Sequence, residues 1–234
     1  MPTPQRYARI VGVAYLVIII VSMIYAGLVE SQLAVAGDDV ATATNISNDE
    51  GLFRVGLVLV LVIYTSVLVA SWALYGLLRT FSPSLALLAL ILRSAEAVLG
   101  AATVFLGFAV LHFATGEAPG ADVRYALVGR LVEVRTAALD VVLVFVGLGA
   151  GLFCCLLLRS RYIPRFLSVW GILTYLSMLC LALVSIVYPA HPEALETVLY
   201  GAGTAFELLF GFWLVVRGPA VDGAIGMNRS GRCR

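Results

Sequence analysis

The sequence predicts an all-α membrane protein, a six-transmembrane-helix bundle with its N-terminus and C-terminus both cytoplasmic. Three observations carry that expectation. Of 234 residues, 62% are apolar and only 12% charged, whereas a soluble domain is about half apolar and a quarter charged. The apolar residues gather into runs of about 20, the length at which a helix rising 1.5 Å per residue crosses a hydrocarbon layer about 30 Å thick. Arginines collect on alternate connections between those runs, the asymmetry that orients membrane proteins.

The six runs are residues 10–29, 55–78, 85–113, 132–158, 166–188 and 195–216. Breakers separate them: Gly37-Asp38-Asp39 and Asn48-Asp49-Glu50-Gly51, then Ser82-Pro83-Ser84, Gly116 to Gly120, Ile163-Pro164, and Pro189-Ala190-His191-Pro192. None of these linkers has room for a second domain, so residues 1–218 read as one transmembrane unit and 219–234 as a disordered cytoplasmic tail. The first run follows Arg6 and Arg9, as a signal peptide would. It is too long for a signal core, and the small-residue site Ala34-Val35-Ala36 lies several residues beyond it, so it is read as a retained span.

With the N-terminus inside, the cytoplasmic side receives Arg6, Arg9, Arg79, Arg159, Arg161, Arg165, Arg217, Arg229, Arg232 and Arg234. The outer side receives most of the acids, from Asp38 to Glu196, with only Arg54, Arg124 and Arg130 as basic company. Aromatic residues fall at the expected interfaces: Tyr7, Tyr75, Tyr162 and Trp170 inside, Tyr25, Tyr125, Tyr188 and Tyr200 outside, with Trp72 and Trp213 near inner ends. All fifteen basic residues are arginine, which reads as the codon bias of a GC-rich, actinobacterial genome. The expected location is therefore a bacterial cytoplasmic membrane, crossed several times, with the lipid bilayer as the first partner.

Charge at membrane depth is costly, about 2.5 to 3.5 kcal/mol per residue on insertion scales, and normally faces the bundle interior. The third span carries Arg93 and Glu96, the fourth Asp140 and the sixth Glu207. Counted from the helix starts, all four lie roughly 13 to 18 Å deep. They form a candidate midplane cluster between spans three, four and six, able to bind a small molecule, a proton or a cation. Arg93 and Glu96, three residues apart, share a helical face and can pair; Asp140 and Glu207 would then depend on a proton or a recruited cation, since a bare buried carboxylate is costly. The competing reading is a network that only locks those helices together, with spans one, two and five turned more to lipid.

A second candidate group, an outer vestibule, comprises Arg54, Arg130, Glu133 and Arg135, with His112 at the outer end of the third span. Arginine on this side runs against the charge asymmetry, so it is held by carboxylates such as Glu50 or Glu133, or meets an anionic ligand. Cys154, Cys155, Cys180 and Cys233 have no metal spacing, and His112 and His191 form no metal pattern. The sequence lacks HExxH, GxSxG and a glycine-rich phosphate loop, so no catalytic residue, metal or cofactor is assigned. It also lacks a basic stripe, and no nucleic-acid partner is expected.

Several short motifs are shared with a known family: Arg9-x-x-Gly12-x-x-Tyr15-Leu16, Gly37-Asp38 with Ala43-Thr44-Asn45-Ile46, Leu52-Phe53-Arg54, Arg93-x-x-Glu96-Ala97, and Ser160-Arg161-Tyr162-Ile163-Pro164-Arg165. In these the chain resembles the bacterial integral-membrane family known as domain of unknown function 4386, from about Arg6 to Val216. The resemblance implies no activity or cofactor. It does imply that Asn45, Arg54, Arg93 and Glu96 matter to the family's common structure or site, with Asn45 placed to cap a helix or reach into the vestibule. Three functional classes follow: a binder or transporter of a small molecule or ion through the midplane cluster, an accessory protein whose charges fix packing, and an intramembrane enzyme acting on a lipid or isoprenoid.

Overall fold

A computed structural model describes residues 3–116, 121–188 and 193–219. The expectations for Glu117, for the turn at His191 and for the tail beyond Pro219 lie outside the described residues. Among these residues the chain is helical throughout its ordered elements. The first span starts as α1 (Pro4–Ile24), widens into a π-helix (Tyr25–Glu30) and closes with the single turn α2 (Ser31–Leu33). The helices α3 (Asp39–Asn48), α4 (Glu50–Leu78), α5 (Pro83–Thr115), α6 (Ala121–Ser160), α7 (Arg165–Val187) and α8 (Glu193–Val216) follow. Six helical stretches, Pro4–Leu33, Glu50–Leu78, Pro83–Thr115, Val123–Ser160, Arg165–Val187 and Thr197–Val216, are long and apolar enough to cross a membrane.

The boundaries follow local chemistry. Pro4 sits in the first turn of α1 and Pro83 opens α5, positions where a missing N–H costs nothing. Asp38 and Asp49 cap α3 and α4, their carboxylates accepting from the N–H of Ala41 at 2.8 Å and Leu52 at 3.0 Å. Asn45 does not cap a helix. It lies inside α3, where Nδ2 donates to the Gln32 carbonyl at 3.4 Å. The connection between the first two spans thus carries a ten-residue helix, α3. Its apolar side, with buried Ala43 and Ile46, lies on the bundle. At 40 residues, α6 is about 60 Å long and outruns the apolar stretch that announced it. Its first turns, with Arg124 and Arg130, precede that apolar stretch and support α3, whose Asp39 carboxylate lies against the backbone at Gly129.

The spans form a ring in chain order, each packed on the next, with the last, α8, returning to α1. The expected inner wall of spans three, four and six is therefore replaced by a ring in which all six contribute. Ring closure rests on two glycines. A Cβ at Gly12 would lie 2.6 Å from the Gly211 carbonyl oxygen, so the α1 and α8 backbones touch. The two ends of the described chain meet on one side of the bundle, where Gly218 packs on Gln5.

Two larger apolar cores stack along the bundle axis, with a small third cluster of Ile18, Val67 and Ala97 besides. One, on the side of the chain ends, includes Tyr15, Leu74, Phe153, Tyr175, Phe206 and Phe210. The other, on the far side, includes Val29, Ile46, Phe53, Leu57, Val104 and Val128 and takes nothing from α7 or α8. Before Gly203, no described residue of α8 is buried. Polar side chains occupy the level between the two cores.

Candidate functional site

At that level Arg93 and Glu96, each 3% exposed, form an ion pair within one turn of α5, Nη1 to Oε2 at 2.6 Å. An exposed pair of this kind contributes little, but a buried one must be satisfied on every side, because each charge has left water. The Arg93 Nε lies 3.4 Å from the hydroxyl of Ser71 on α4. Its aliphatic stem lies on α6 at Gly149, where a Cβ would come 2.9 Å from its Cγ. From α7, buried Tyr175 donates its hydroxyl to Glu207 Oε1 of α8 at 2.7 Å and stands 3.5 Å from the Tyr15 hydroxyl of α1. Arg93 interacts electrostatically with Glu96, Tyr15, Tyr175 and Glu207, which joins the two halves into one centre. Each of the six spans thus supplies a residue to it.

Of the predicted midplane cluster, the centre unites Arg93, Glu96 and Glu207. Asp140 is half-buried on α6, about 13 Å along the helix from Gly149 towards the far side. Tyr15, Ser71 and Tyr175 complete the centre and were not assigned to it by the sequence. Tyr175→Phe removes only the hydroxyl that satisfies Glu207. Its expected cost is about 1–2 kcal/mol, read as a lower unfolding midpoint in detergent. An unchanged midpoint would show that water replaces the tyrosine without loss.

Above the centre, on the side away from the chain ends, a cavity of about 300 Å³ opens between the first four spans and α3. Its polar lining comprises Ser22, Tyr25, Glu30, Thr42, Tyr64, Thr103, Arg135 and Thr136; Val29, Ile46, Phe53 and Val60 are among its apolar walls. The π-helix delivers Tyr25, Val29 and Glu30 to this wall, its wide turn marked by a bond from the Ser31 N–H to the Ala26 carbonyl five residues back. Such widened turns recur at functional sites because they re-aim side chains within an otherwise regular helix. Tyr25 accepts a hydrogen bond from Arg135 Nη2 at 3.0 Å, which holds the guanidinium at the cavity wall.

Tyr64 links the two regions. It lines the cavity, yet it packs on α5 at Gly100, one helical turn from Glu96. Its ring lies flat against α5 at Gly100, where a Cβ would fall 2.0 Å from the ring. No side chain larger than hydrogen leaves room for it there.

Of the predicted vestibule residues, Arg135 alone is among those lining the cavity. Arg54 is exposed and bonded to Glu50, its Nη2 2.6 Å from Oε1. Arg130 is exposed and bonded to Glu133 at 2.8 Å, and exposed His112 lies edge-on to Phe113. The two pairs are one helical turn long and solvent-facing, which satisfies these arginines without a ligand. Among the described residues no group of three His, Cys, Asp or Glu side chains is placed to hold a metal ion.

A protein-family model described as Domain of unknown function (DUF4386) matches residues 10–218. No curated protein and no solved structure matches the chain.

Proposed function

Since the chain belongs to the DUF4386 family, whose description assigns no activity, its function is to be read from the site, and we propose that it binds and moves a small molecule across a membrane through the cavity and the buried centre beneath it. The observation that carries this reading is the double position of Tyr64, at the cavity wall and packed on α5 at Gly100, one helical turn from Glu96. A solute seated above Tyr64 and the charges below it can therefore respond to each other. Arg135 selects a solute with a carboxylate or similar acceptor, because a guanidinium fork held by Tyr25 keeps N–H groups for a second partner. The apolar wall and the volume of about 300 Å³ suit a compact, partly apolar molecule.

In the buried centre Arg93 is bonded to Glu96, while the second carboxylate, Glu207, is held by the Tyr175 hydroxyl. A proton or a monovalent cation is the natural third component, and its exchange offers a means of driving solute movement. The arginine asymmetry of the sequence supports the cavity facing outward, with both chain ends on the cytoplasmic side of a bacterial membrane. A second reading, a packing role only, draws on the closeness of the Arg93–Glu96 pair.

Mass spectrometry of small molecules retained by the purified full chain tests the proposal. Arg135→Gln is expected to lose the retained solute by about 10- to 100-fold, the effect of one charge-assisted hydrogen bond. Tyr64→Phe is expected to retain the solute while slowing its uptake into vesicles containing the protein. Equal retention by wild type and Arg135→Gln, with equal uptake by Tyr64→Phe, would leave the packing role standing.

A further inference from the structure

The opposite end of the bundle holds a second cavity that the transport reading does not use. It has a volume of about 360 Å³ and is lined by Arg161, Tyr162, Ile163, Pro164, Trp213, Arg217, Gly218 and Pro219. Among the described residues its charged lining is two arginines, with no carboxylate. It lies where α6 ends, α7 begins and α8 ends, hence at the level where the spans leave the hydrocarbon.

Arg161 is held there at a conformational cost. With φ of 57° it is the single non-glycine residue at positive φ among the described residues. Its N–H closes α6 by donating to the Leu157 carbonyl at 3.1 Å, in the left-handed position after a helix that glycine normally fills. Ser160, Tyr162 and Ile163 are buried on either side while Arg161 itself is exposed. The turn is thus fixed by its neighbours, and any side chain beyond glycine at position 161 is strained without a packing gain. What arginine adds is a guanidinium at the mouth of the cavity. Arg217 faces the same space, its guanidinium 5.5 Å from the Trp213 ring centre. Stacking on the indole orients the planar fork and leaves its edge N–H groups for an anion.

We propose that this cavity binds the phosphate of an anionic phospholipid, gripped by Arg161 and Arg217, with the acyl chains lying along the exposed apolar Phe166 and Val216 beside it. The interfacial level, the aromatic lining and the lipid-facing apolar neighbours favour a membrane lipid over a free phosphate.

The test titrates the full chain in mild detergent with phosphatidylglycerol, phosphatidylcholine, glycerol phosphate and inorganic phosphate, reading bound lipid by native mass spectrometry and stability by thermal melting. Phosphatidylglycerol should bind in preference to phosphatidylcholine and raise the melting temperature. Arg217→Gln should weaken that binding about fivefold, the share of one arginine at an anionic surface. Arg161→Gly should weaken it to a similar degree while melting at the same or a higher temperature without lipid, because glycine accepts the backbone conformation. That divergence separates lost binding from lost folding. Equal binding of the two lipids, an unchanged preference in Arg161→Gly, or displacement of the lipid by inorganic phosphate at equal concentration would overturn the proposal.

Discussion

Arg93→Gln is expected to destabilise the folded chain by about 3–5 kcal/mol, the cost of removing one partner from a buried ion pair. The size follows from what the substitution leaves behind. Glu96 loses its contact at 2.6 Å and Glu207 loses the cation whose field it shares. The Glu96 site is not open enough for bulk water to compensate at full strength, since Glu96 is 3% exposed. Glutamine keeps much of the stem length over Gly149, so the loss is electrostatic more than steric. The double variant Arg93→Gln, Glu96→Gln is expected to recover part of the loss, because it removes the orphaned charge as well. Reversible unfolding in detergent measures both. A double variant no more stable than Arg93→Gln would assign the loss to packing and not to the abandoned carboxylate.

Gly12→Leu is expected to cost about 3 kcal/mol, at the upper end for overpacking a well-filled interior. A leucine on α1 has to displace the α8 backbone at Gly211 and Val215 as well as the Val215 side chain. Two helices joined by backbone proximity move as units, so the strain spreads along the seam that closes the ring. The Tyr15 hydroxyl, one turn from Gly12, should then separate from Tyr175. Gly27→Leu is the matched control, because a Cβ there meets nothing within 4 Å. If both variants melt alike, α1 and α8 do not depend on contact at Gly12.

How much of this was legible in the sequence depends on the kind of signal. The six spans were, because length and apolarity set them and the bilayer fixes the length required. The Arg93–Glu96, Arg130–Glu133 and Arg54–Glu50 pairs were also readable, since three or four residues along a helix fix a common face whatever the surrounding fold. Which helix faces look inward was not. Lipid tails are as apolar as a protein interior, so a span carries no contrast between its lipid and core sides. The ring order and the close approach at Gly12 and Gly211 depend on that missing contrast.

The tyrosines show where the signal lay. Seven of ten fall near the ends of the spans, Tyr7, Tyr75 and Tyr162 on the side of the chain ends and Tyr25, Tyr125, Tyr188 and Tyr200 on the far side. The three left over, Tyr15, Tyr64 and Tyr175, are those that gather around the buried charges. A buried phenol in an apolar run needs a hydrogen-bond partner, so a tyrosine away from the interface points to polar company at its depth. The vestibule residues were grouped by their outer position and by arginine running against the charge asymmetry, and neither signal distinguishes a helix face turned to solvent from one turned to the cavity, as Arg135 is.

The π-helix has a further consequence, in terms of phase. One residue more per turn than an α-helix advances the chain without rotating its following side chains by the usual 100°. The first span is therefore two half-helices out of register. The half before Tyr25 turns Gly12 to α8 and Tyr15 to the buried centre, and the half after it turns Val29 and Leu33 to the far core. A single continuous α-helix holds only one of these settings. The extra residue between Tyr25 and Glu30 lets one span serve two partners, and deleting it would force a choice between ring closure and the cavity wall.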